Sequence, residues 1–232
     1  MKAVILAAGE GRRMRPLTLT TPKPLLKIAG KALLDHIFEA LPPEVSEIVM
    51  VVKYLADQIK NYCGDVFHDR KIIYAEGSEL GTAYSFLAAQ PYITGERFLV
   101  IQGDDLPSGQ DITKCLSYPA SILCWEADDP WNHGVITLNK DGTIGEIVEK
   151  PENPKSKLIA GGVLALNKKI FDCNPKATKL KGEFYFSGMV SQFVKSEPVT
   201  AVMSDWGKNV SGISTPNDIQ RVESWLATQN KK

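Results

Sequence analysis

The sequence predicts an α/β fold: a mixed, mostly parallel sheet flanked by helices, with a small β-rich annex in the second half. Three observations carry this. Over the first hundred residues, short apolar runs alternate with stretches of helical spacing, the pattern of parallel strands joined by crossover helices. Beyond about residue 119, short strand-like runs follow one another with turn residues between them, which suits antiparallel pairing. The chain has 232 residues and is 44% hydrophobic, enough to bury one large core.

In chain order, Lys2–Ala7 (KAVILA) reads as a buried strand, followed by a long Gly/Arg/Pro/Thr loop to about Pro24. Lys31–Leu41 has helical spacing and stops at Pro42-Pro43, since proline cannot continue a helix. Glu47–Val52 is an apolar strand, Leu55–Cys63 a helix, Lys71–Ala75 a strand, Gly81–Gln90 a helix and Phe98–Gln102 a strand ending in Gly-Asp-Asp. Ala120–Trp125, Gly134–Leu138, Ile144–Glu149 and Ile159–Leu166 read as strands, with a hairpin turn at Asn139–Gly142. Helices return at Tyr185–Lys195 and Thr215–Thr228, where Thr215-Pro216 suits a helix start. The closing Ala227–Lys232 reads as a frayed end.

Lys+Arg and Asp+Glu both number 27. A chain without net charge offers no general basic surface for nucleic acid or an anionic membrane, so any anion site must be local. No run reaches the length of a membrane span, and the first apolar run is too short for a signal peptide. The expectation is a cytoplasmic protein. Cys63, Cys115, Cys124 and Cys173 are widely spaced and read as reduced thiols. His36, His68 and His133 show no metal-ligand spacing, and His36 reads as structural.

The segment Leu6–Leu26, LAAGEGRRMRPLTLTTPKPLL, carries the strongest signal. Gly9 and Gly11 lack Cβ atoms, so backbone N–H groups can approach an anion closely. Arg12, Arg13, Arg15 and Lys23 bring four cations to the same loop. The carboxyl end of a strand is where an α/β sheet binds phosphorylated ligands. A dinucleotide fingerprint would need glycine at Met14 and an immediate helix, which Pro16, Pro22 and Pro24 forbid. The Gly-Lys-Ser/Thr of a Walker loop is absent.

This segment resembles the signature of the sugar-phosphate nucleotidylyltransferases, roughly LAAGxGxRxxPxTxxxPKPxL. The resemblance continues in order through Glu79–Ala83 (ELGTA), Gly103-Asp104, Ile147–Pro151 (IVEKP) and Thr215–Ile219 (TPNDI). It implies a Rossmann-like fold of the GT-A type, its β-rich annex on the sugar side. One domain would span 1–232, with a nucleotide-binding half over 1–118 and a sugar-binding half over 119–232. The implied reaction joins the nucleotidyl group of an NTP to a sugar 1-phosphate and releases pyrophosphate. Such chemistry needs cations, backbone donors and a metal more than a catalytic triad.

By the same resemblance, Arg13 and Lys23 are the catalytic cations. Leu6, Ala8, Gly9, Gly11, Glu79, Gly81 and Thr82 contact the nucleotide. Gly134, Glu149 and Lys150 meet the sugar phosphate, and Asp104 holds Mg²⁺. Gly161-Gly162 is expected near the sugar. Partners are the NTP and the sugar 1-phosphate, with neither nucleic acid nor membrane, and homo-oligomers stay open. No stretch is left for an acyltransferase half, so a single activity is expected.

Two positions depart from the family pattern. Ser214 stands where relatives place a second metal-binding acid or Asn, leaving Asp105 or Asp205 as helpers. Gly188 stands where relatives often carry an acid. Ser214 keeps open a catalytically silent regulatory homologue. A GT-A glycosyltransferase is a further reading, although Asp104-Asp105 is not an Asp-x-Asp. Trp125 and Trp131 keep open a cytidylyltransferase for phosphocholine, whose cation favours aromatic faces. The carboxylate of Glu79 is acceptor-only and matches the two donors of guanine, which favours GTP; alternatively, Glu79 caps the helix beginning near Gly81.

Overall fold

The computed structural model describes residues 1–180, 182–204, 206–210 and 212–229. Its strands are β1 (Lys2–Ala7), β2 (Lys27–Ile28), β3 (Lys31–Ala32), β4 (Glu47–Val52), β5 (Val66–Phe67), β6 (Arg70–Glu76), β7 (Arg97–Gln102), β8 (Ser121–Glu126), β9 (Gly134–Leu138), β10 (Ile144–Glu149), β11 (Leu158–Asn167), β12 (Lys179–Leu180), β13 (Glu183–Phe184) and β14 (Thr200–Met203). The helices are α1 (Leu33–Ala40), α2 (Ala56–Cys63), α3 (Thr82–Leu87), α4 (Gly109–Leu116), α5 (Phe186–Ser196), α6 (Gly207–Val210) and α7 (Pro216–Gln229).

One continuous sheet runs β10-β9-β11-β7-β1-β4-β6-β5, with β8 also against β11 and β14 beside β8. The central strands β7, β1, β4 and β6 are parallel. The second-half strands are largely antiparallel, as expected, but they extend this sheet through β11, which pairs antiparallel with β7. β14 is parallel to β8.

β1 shows why the sheet is central. Ala3, Ile5 and Ala7 enter one apolar cluster with α1, α4 and α7, while Val4 enters another with α3 and α5. A strand covered on both faces has no polar side and reads as a continuous apolar run. Three layers result, with the carboxyl ends of β1, β4, β6 and β7 on one edge.

Several boundaries differ from expectation. The helix expected from Lys31 begins at Leu33, because Lys31–Ala32 pairs with Lys27–Ile28. α3 ends at Leu87 and is followed by a 3₁₀ turn over Gln90–Tyr92. α7 is helical through Gln229, so Ala227–Gln229 are not frayed, and residues 230–232 lie outside the described set. His36 is structural, its Nε2 2.8 Å from the Ile28 carbonyl oxygen. All four cysteines are free, three of them buried. Among the described residues, no helix is long and apolar enough to cross a membrane.

Candidate active site

The loops leaving β1 and β7 meet at the carboxyl edge. Gly103 donates its N–H to the Leu6 carbonyl oxygen at 2.9 Å. A Cβ on Gly103 would stand 2.8 Å from that same oxygen, so only glycine turns there this closely. Asp104 is thereby set beside the Leu6–Leu26 loop.

That loop folds as three 3₁₀ turns, Arg12–Met14, Leu17–Leu19 and Lys23–Leu25. Gly11 adopts φ +60°, and its carbonyl oxygen accepts from the Met14 N–H and the Thr18 hydroxyl, each at 2.8 Å. A Cβ on Gly11 would meet Thr18 at 3.0 Å and Lys23 at 3.3 Å, whereas Gly9 has open space around it. The four cations divide into two groups. Arg12 and Arg15 turn to Glu10, the former through two contacts of 2.8 and 3.1 Å. Hydrogen bonding by Arg12 holds the Glu10 carboxyl below its usual value.

The other two cations turn inward. Lys23 Nζ lies 2.8 Å from Asp104 Oδ2, with only 12% of the lysine side chain exposed. Arg13 donates to Ser214 Oγ at 3.0 Å. The segment carrying Ser214 crosses the Gly-Asp-Asp turn: Ile213 N–H donates to the Asp104 carbonyl oxygen at 3.2 Å, and Gly212 N–H to Asp105 Oδ1 at 2.8 Å. Arg13, Lys23, Asp104 and Ser214 thus form one contact group.

Asp105 is held differently from its neighbour. A Cβ on Gly162 would stand 2.1 Å from Asp105 Oδ2, so the side chain fills the space that glycine leaves. Burial, reinforced by the charge of Asp104, raises the Asp105 carboxyl to about 6 against the backbone N–H groups of Gly212 and Gly162. Asp105 clamps β11 and the 212–214 segment to the turn. The Gly161-Gly162 pair admits Asp105 and Trp125; a Cβ on Gly161 would stand 2.2 Å from the Trp125 ring. Trp125 is buried there and against Gly207, so it offers no open face to a quaternary ammonium. Trp131 is exposed. Asp205 lies outside the described residues.

At the side expected to hold the nucleotide, Gly81 is the N-cap of α3 with φ +123° and no side-chain cap. Glu79 Oε1 lies 3.4 Å from Lys53 Nζ. The Thr82 hydroxyl accepts from Phe186 N–H at 2.9 Å, and Leu80 carbonyl accepts from Phe184 N–H at 2.9 Å. The Leu6 carbonyl is taken by Gly103, and the Ala8 carbonyl accepts from Tyr54 N–H at 3.4 Å.

Register places the other expected residues at the same edge. Val163 of β11 pairs with Ile101, next to the end of β7, and Ile159 pairs with Val135 of β9. Gly134 begins β9 opposite Glu149, the last residue of β10. A Cβ on Gly134 would come within 3.4 Å of Glu149 Oε2. Lys150 has φ +45°, an uncommon conformation for a residue with a Cβ. Its N–H donates to the His133 carbonyl at 2.9 Å. Its Nζ lies 3.5 Å from Glu149 Oε1 and 4.6 Å from the Tyr185 ring centre, a cation–π distance. Gly188 faces Thr178, whose Cβ is 2.6 Å from where a side chain would begin.

Sequence reasoning missed Lys53, Phe184 and Tyr185. Phe184 packs edge-on against Tyr84, and the Phe184–Phe186 run touches both the ELGTA loop and Lys150. Three successive aromatics, Phe184–Phe186, at the start of a helix were the available signal. Lys53 left none, being a single lysine after a strand.

Comparison with known proteins shows the family. The family model for nucleotidyl transferases matches residues 2–206. The bifunctional protein GlmU of Methanocaldococcus jannaschii is 37% identical over 229 residues, covering 97% of this chain and 54% of that protein. The chain thus spans about half the length of such relatives. The UTP–glucose-1-phosphate uridylyltransferase AglF of Haloferax volcanii is 32% identical over 206 residues, 84% of each chain. A crystal structure of a UDP-glucose pyrophosphorylase complexed with UDP-glucose superposes with a TM-score of 0.83 at 21% identity, covering 100% of this chain and 99% of that one, which is a likeness of fold. With a family model spanning most of its length, and a glycine loop, lysine and aspartate converging at the edge of a mostly parallel sheet, the chain belongs to the nucleotidyl transferase family.

Proposed function

We propose that this protein transfers a nucleotidyl group from an NTP to a sugar 1-phosphate, giving an NDP-sugar and pyrophosphate. The observation that carries the reading is the Lys23–Asp104 contact at 2.8 Å, made between loops that leave adjacent parallel strands. The relatives' names, among them a UTP–glucose-1-phosphate uridylyltransferase, support it. In this reading residues 1–118 hold the nucleotide and 119–232 the sugar. The setting is cytoplasmic, where NTPs are available.

The nucleophile needs little activation. A phosphomonoester has a second pKa of about 6 and is largely dianionic at neutral pH. A phosphate oxygen forms a bond to the α-phosphorus while the bond to the departing pyrophosphate breaks. The open backbone at Gly9 and the turn at Gly11 would receive the triphosphate. Arg13 would stabilise charge gathering on the pyrophosphate, and Lys23 would hold phosphate oxygens at the reacting centre. Glu149 would accept from sugar hydroxyls. Lys150, held by the His133 carbonyl and the Tyr185 ring, would meet the sugar phosphate.

The residues also fit Mg²⁺. Asp104 keeps a partly exposed carboxylate with a cation already against it. Mg²⁺ characteristically uses one or two protein carboxylates and takes its other ligands from phosphates and water. Asp104 would hold the ion, which when bound supplies charge neutralisation at the phosphates. Asp105 is engaged by backbone N–H groups, and Ser214 offers only a hydroxyl already accepting from Arg13.

The test is a matrix of NTPs against sugar 1-phosphates, with Mg²⁺ present, read by pyrophosphate release. At least one pair should turn over steadily and give an NDP-sugar. Absence of pyrophosphate from every pair would overturn the reading in favour of a silent homologue.

A further inference from the structure

We propose that a small cavity behind the Gly-Asp-Asp turn binds a potassium-sized monovalent cation between Asp111 and Asp105. The cavity measures about 10 Å³ and lies among the turn after β7, α4, β8, β11 and the residues around Ser204. That is the space of a single water-sized particle. Leu123, Trp125, Val163 and Val210 make much of its wall, and all four are buried. Asp105 and Asp111 bring two carboxyl groups to it, and among the described residues that line it none is basic.

Asp111 supplies the observation that points to a guest. It stands in the first turn of α4 and is 1% exposed. Its Oδ2 accepts from the Ser204 hydroxyl at 2.7 Å. The Ser204 oxygen in turn accepts from the N–H groups of Trp206 at 3.1 Å and Gly207 at 2.7 Å. Ser204 therefore gives its one proton to Asp111 and has no lone pair to spare. Asp111 Oδ1 is buried with no hydrogen-bond partner. A buried polar atom in that state is costly and uncommon, and this one belongs to a side chain at the cavity wall.

The character of the wall selects the guest. A buried carboxylate is ordinarily paired with a cation or bound to a metal, and no lining side chain supplies the positive charge. A water would give Oδ1 a hydrogen bond and leave the charge uncompensated. Mg²⁺ demands a near-octahedral set of oxygens and keeps several waters, for which the space of one particle is too small. A monovalent ion of about the size of water makes no such demand. Asp105 faces the same space while Gly212 N–H holds its Oδ1 at 2.8 Å. The ion thus joins α4 and the Ser204 segment to the turn that carries Asp104. This site is independent of the transfer reading, and its test involves neither NTP nor sugar.

Crystals of the intact protein grown in rubidium chloride and in tetramethylammonium chloride test the proposal. Rubidium substitutes for potassium and scatters anomalously, whereas tetramethylammonium is too large for the cavity. An anomalous peak beside Asp111 Oδ1 is expected in rubidium and none in tetramethylammonium. Density there without an anomalous signal in rubidium would be a buried water and would overturn the proposal. Thermal melts give a second readout. At constant ionic strength, replacing tetramethylammonium with potassium should raise Tm saturably, by about 2–4 °C when the ion stands at about five times its Kd. Asp111→Asn keeps an oxygen for the Ser204 hydroxyl and removes the charge, so its melts should be indifferent to the cation. Wild-type melts that coincide in the two salts would overturn the proposal, as would Asp111→Asn with the wild-type dependence on potassium.

Discussion

Lys23 Nζ and Asp104 Oδ2 lie 2.8 Å apart, joining the loop after β1 to the turn after β7 across 81 positions of sequence. The lysine is nearly buried while the aspartate stays partly exposed, so the carboxylate keeps an open side. Asp104→Ala is expected to lower Mg²⁺-dependent turnover by about 10²–10³, the range for losing one electrostatic group at a reacting centre. It should leave far-UV circular dichroism unchanged. Near-wild-type turnover in this variant would remove Asp104 from the metal site.

Lys23→Ala and Arg13→Ala address when their charges act. If both stabilise charge that develops during transfer, kcat should fall at least tenfold while KM for the NTP changes less. Should both variants raise KM with kcat unchanged, these cations only bind the ground-state triphosphate.

Ser214→Asp is expected to lower the Mg²⁺ concentration for half-maximal turnover severalfold, since it adds a carboxylate beside the Asp104 backbone. Arg13, now hydrogen-bonded to the Ser214 hydroxyl, would compete for the new charge, so the gain should be larger when the triphosphate engages Arg13. Superimposable metal titrations of the variant and wild type would place residue 214 beyond reach of the ion.

The strands most legible in the sequence were those covered on both faces or alternating cleanly. Glu47–Val52, Gly134–Leu138 and Ile144–Glu149 occur with the expected ends. α4 escaped because Gly109–Leu116 is mostly polar and buries few apolar side chains. β14 escaped because four residues after Pro198 carry little periodicity. The proximity of Lys23 to Asp104 was legible through motif order. The Lys53–Glu79 pair was not, because it depends on β1, β4 and β6 being neighbours, and sheet order is invisible to local spacing. The burial of Asp105 was not legible for a related reason: it comes from Gly162 and Gly212, far along the chain.

Asp218 ties stability at low pH to this same edge. Burial alone would raise its carboxyl. The N–H groups of Ser214 and Thr215, the Thr215 hydroxyl and Arg221 outweigh that and hold it below the usual aspartate value of 3.8. A carboxyl depressed in the folded state contributes stability above the unfolded pKa and loses it as pH falls through the folded one. Asp218→Ala is expected to cost about 1 kcal/mol at pH 7, as for a lost helix cap, or roughly 2–4 °C in Tm. The gap to wild type should narrow as the pH falls below the aspartate range. Thermal melts from pH 7 to pH 3 check this, and a constant gap would mean that the carboxylate's charge plays no part.

The final prediction separates two glycines of the nucleotide side by what surrounds them. Gly81 has φ +123°, and a Cβ there would lie 2.4 Å from the Phe184 carbonyl oxygen and 2.7 Å from the Phe184 nitrogen. Both are backbone atoms, so no side-chain rotation relieves the clash. Gly81→Ala must displace either the loop carrying Glu79 or the Phe184–Phe186 run, which also carries Tyr185 under Lys150. A strained backbone position of this kind costs about 1–3 kcal/mol, several degrees in Tm for a chain of this size. KM should rise for both NTP and sugar phosphate, because one aromatic run supports both loops. Gly9 is the control: open space surrounds it, so Gly9→Ala should melt with wild type. If its backbone approaches the triphosphate, Gly9→Ala should still raise KM for the NTP, and for the NTP alone. A Gly81→Ala protein that affects only one substrate would show that the aromatic run does not couple the two halves, and a fully active Gly9→Ala would show that the triphosphate passes elsewhere.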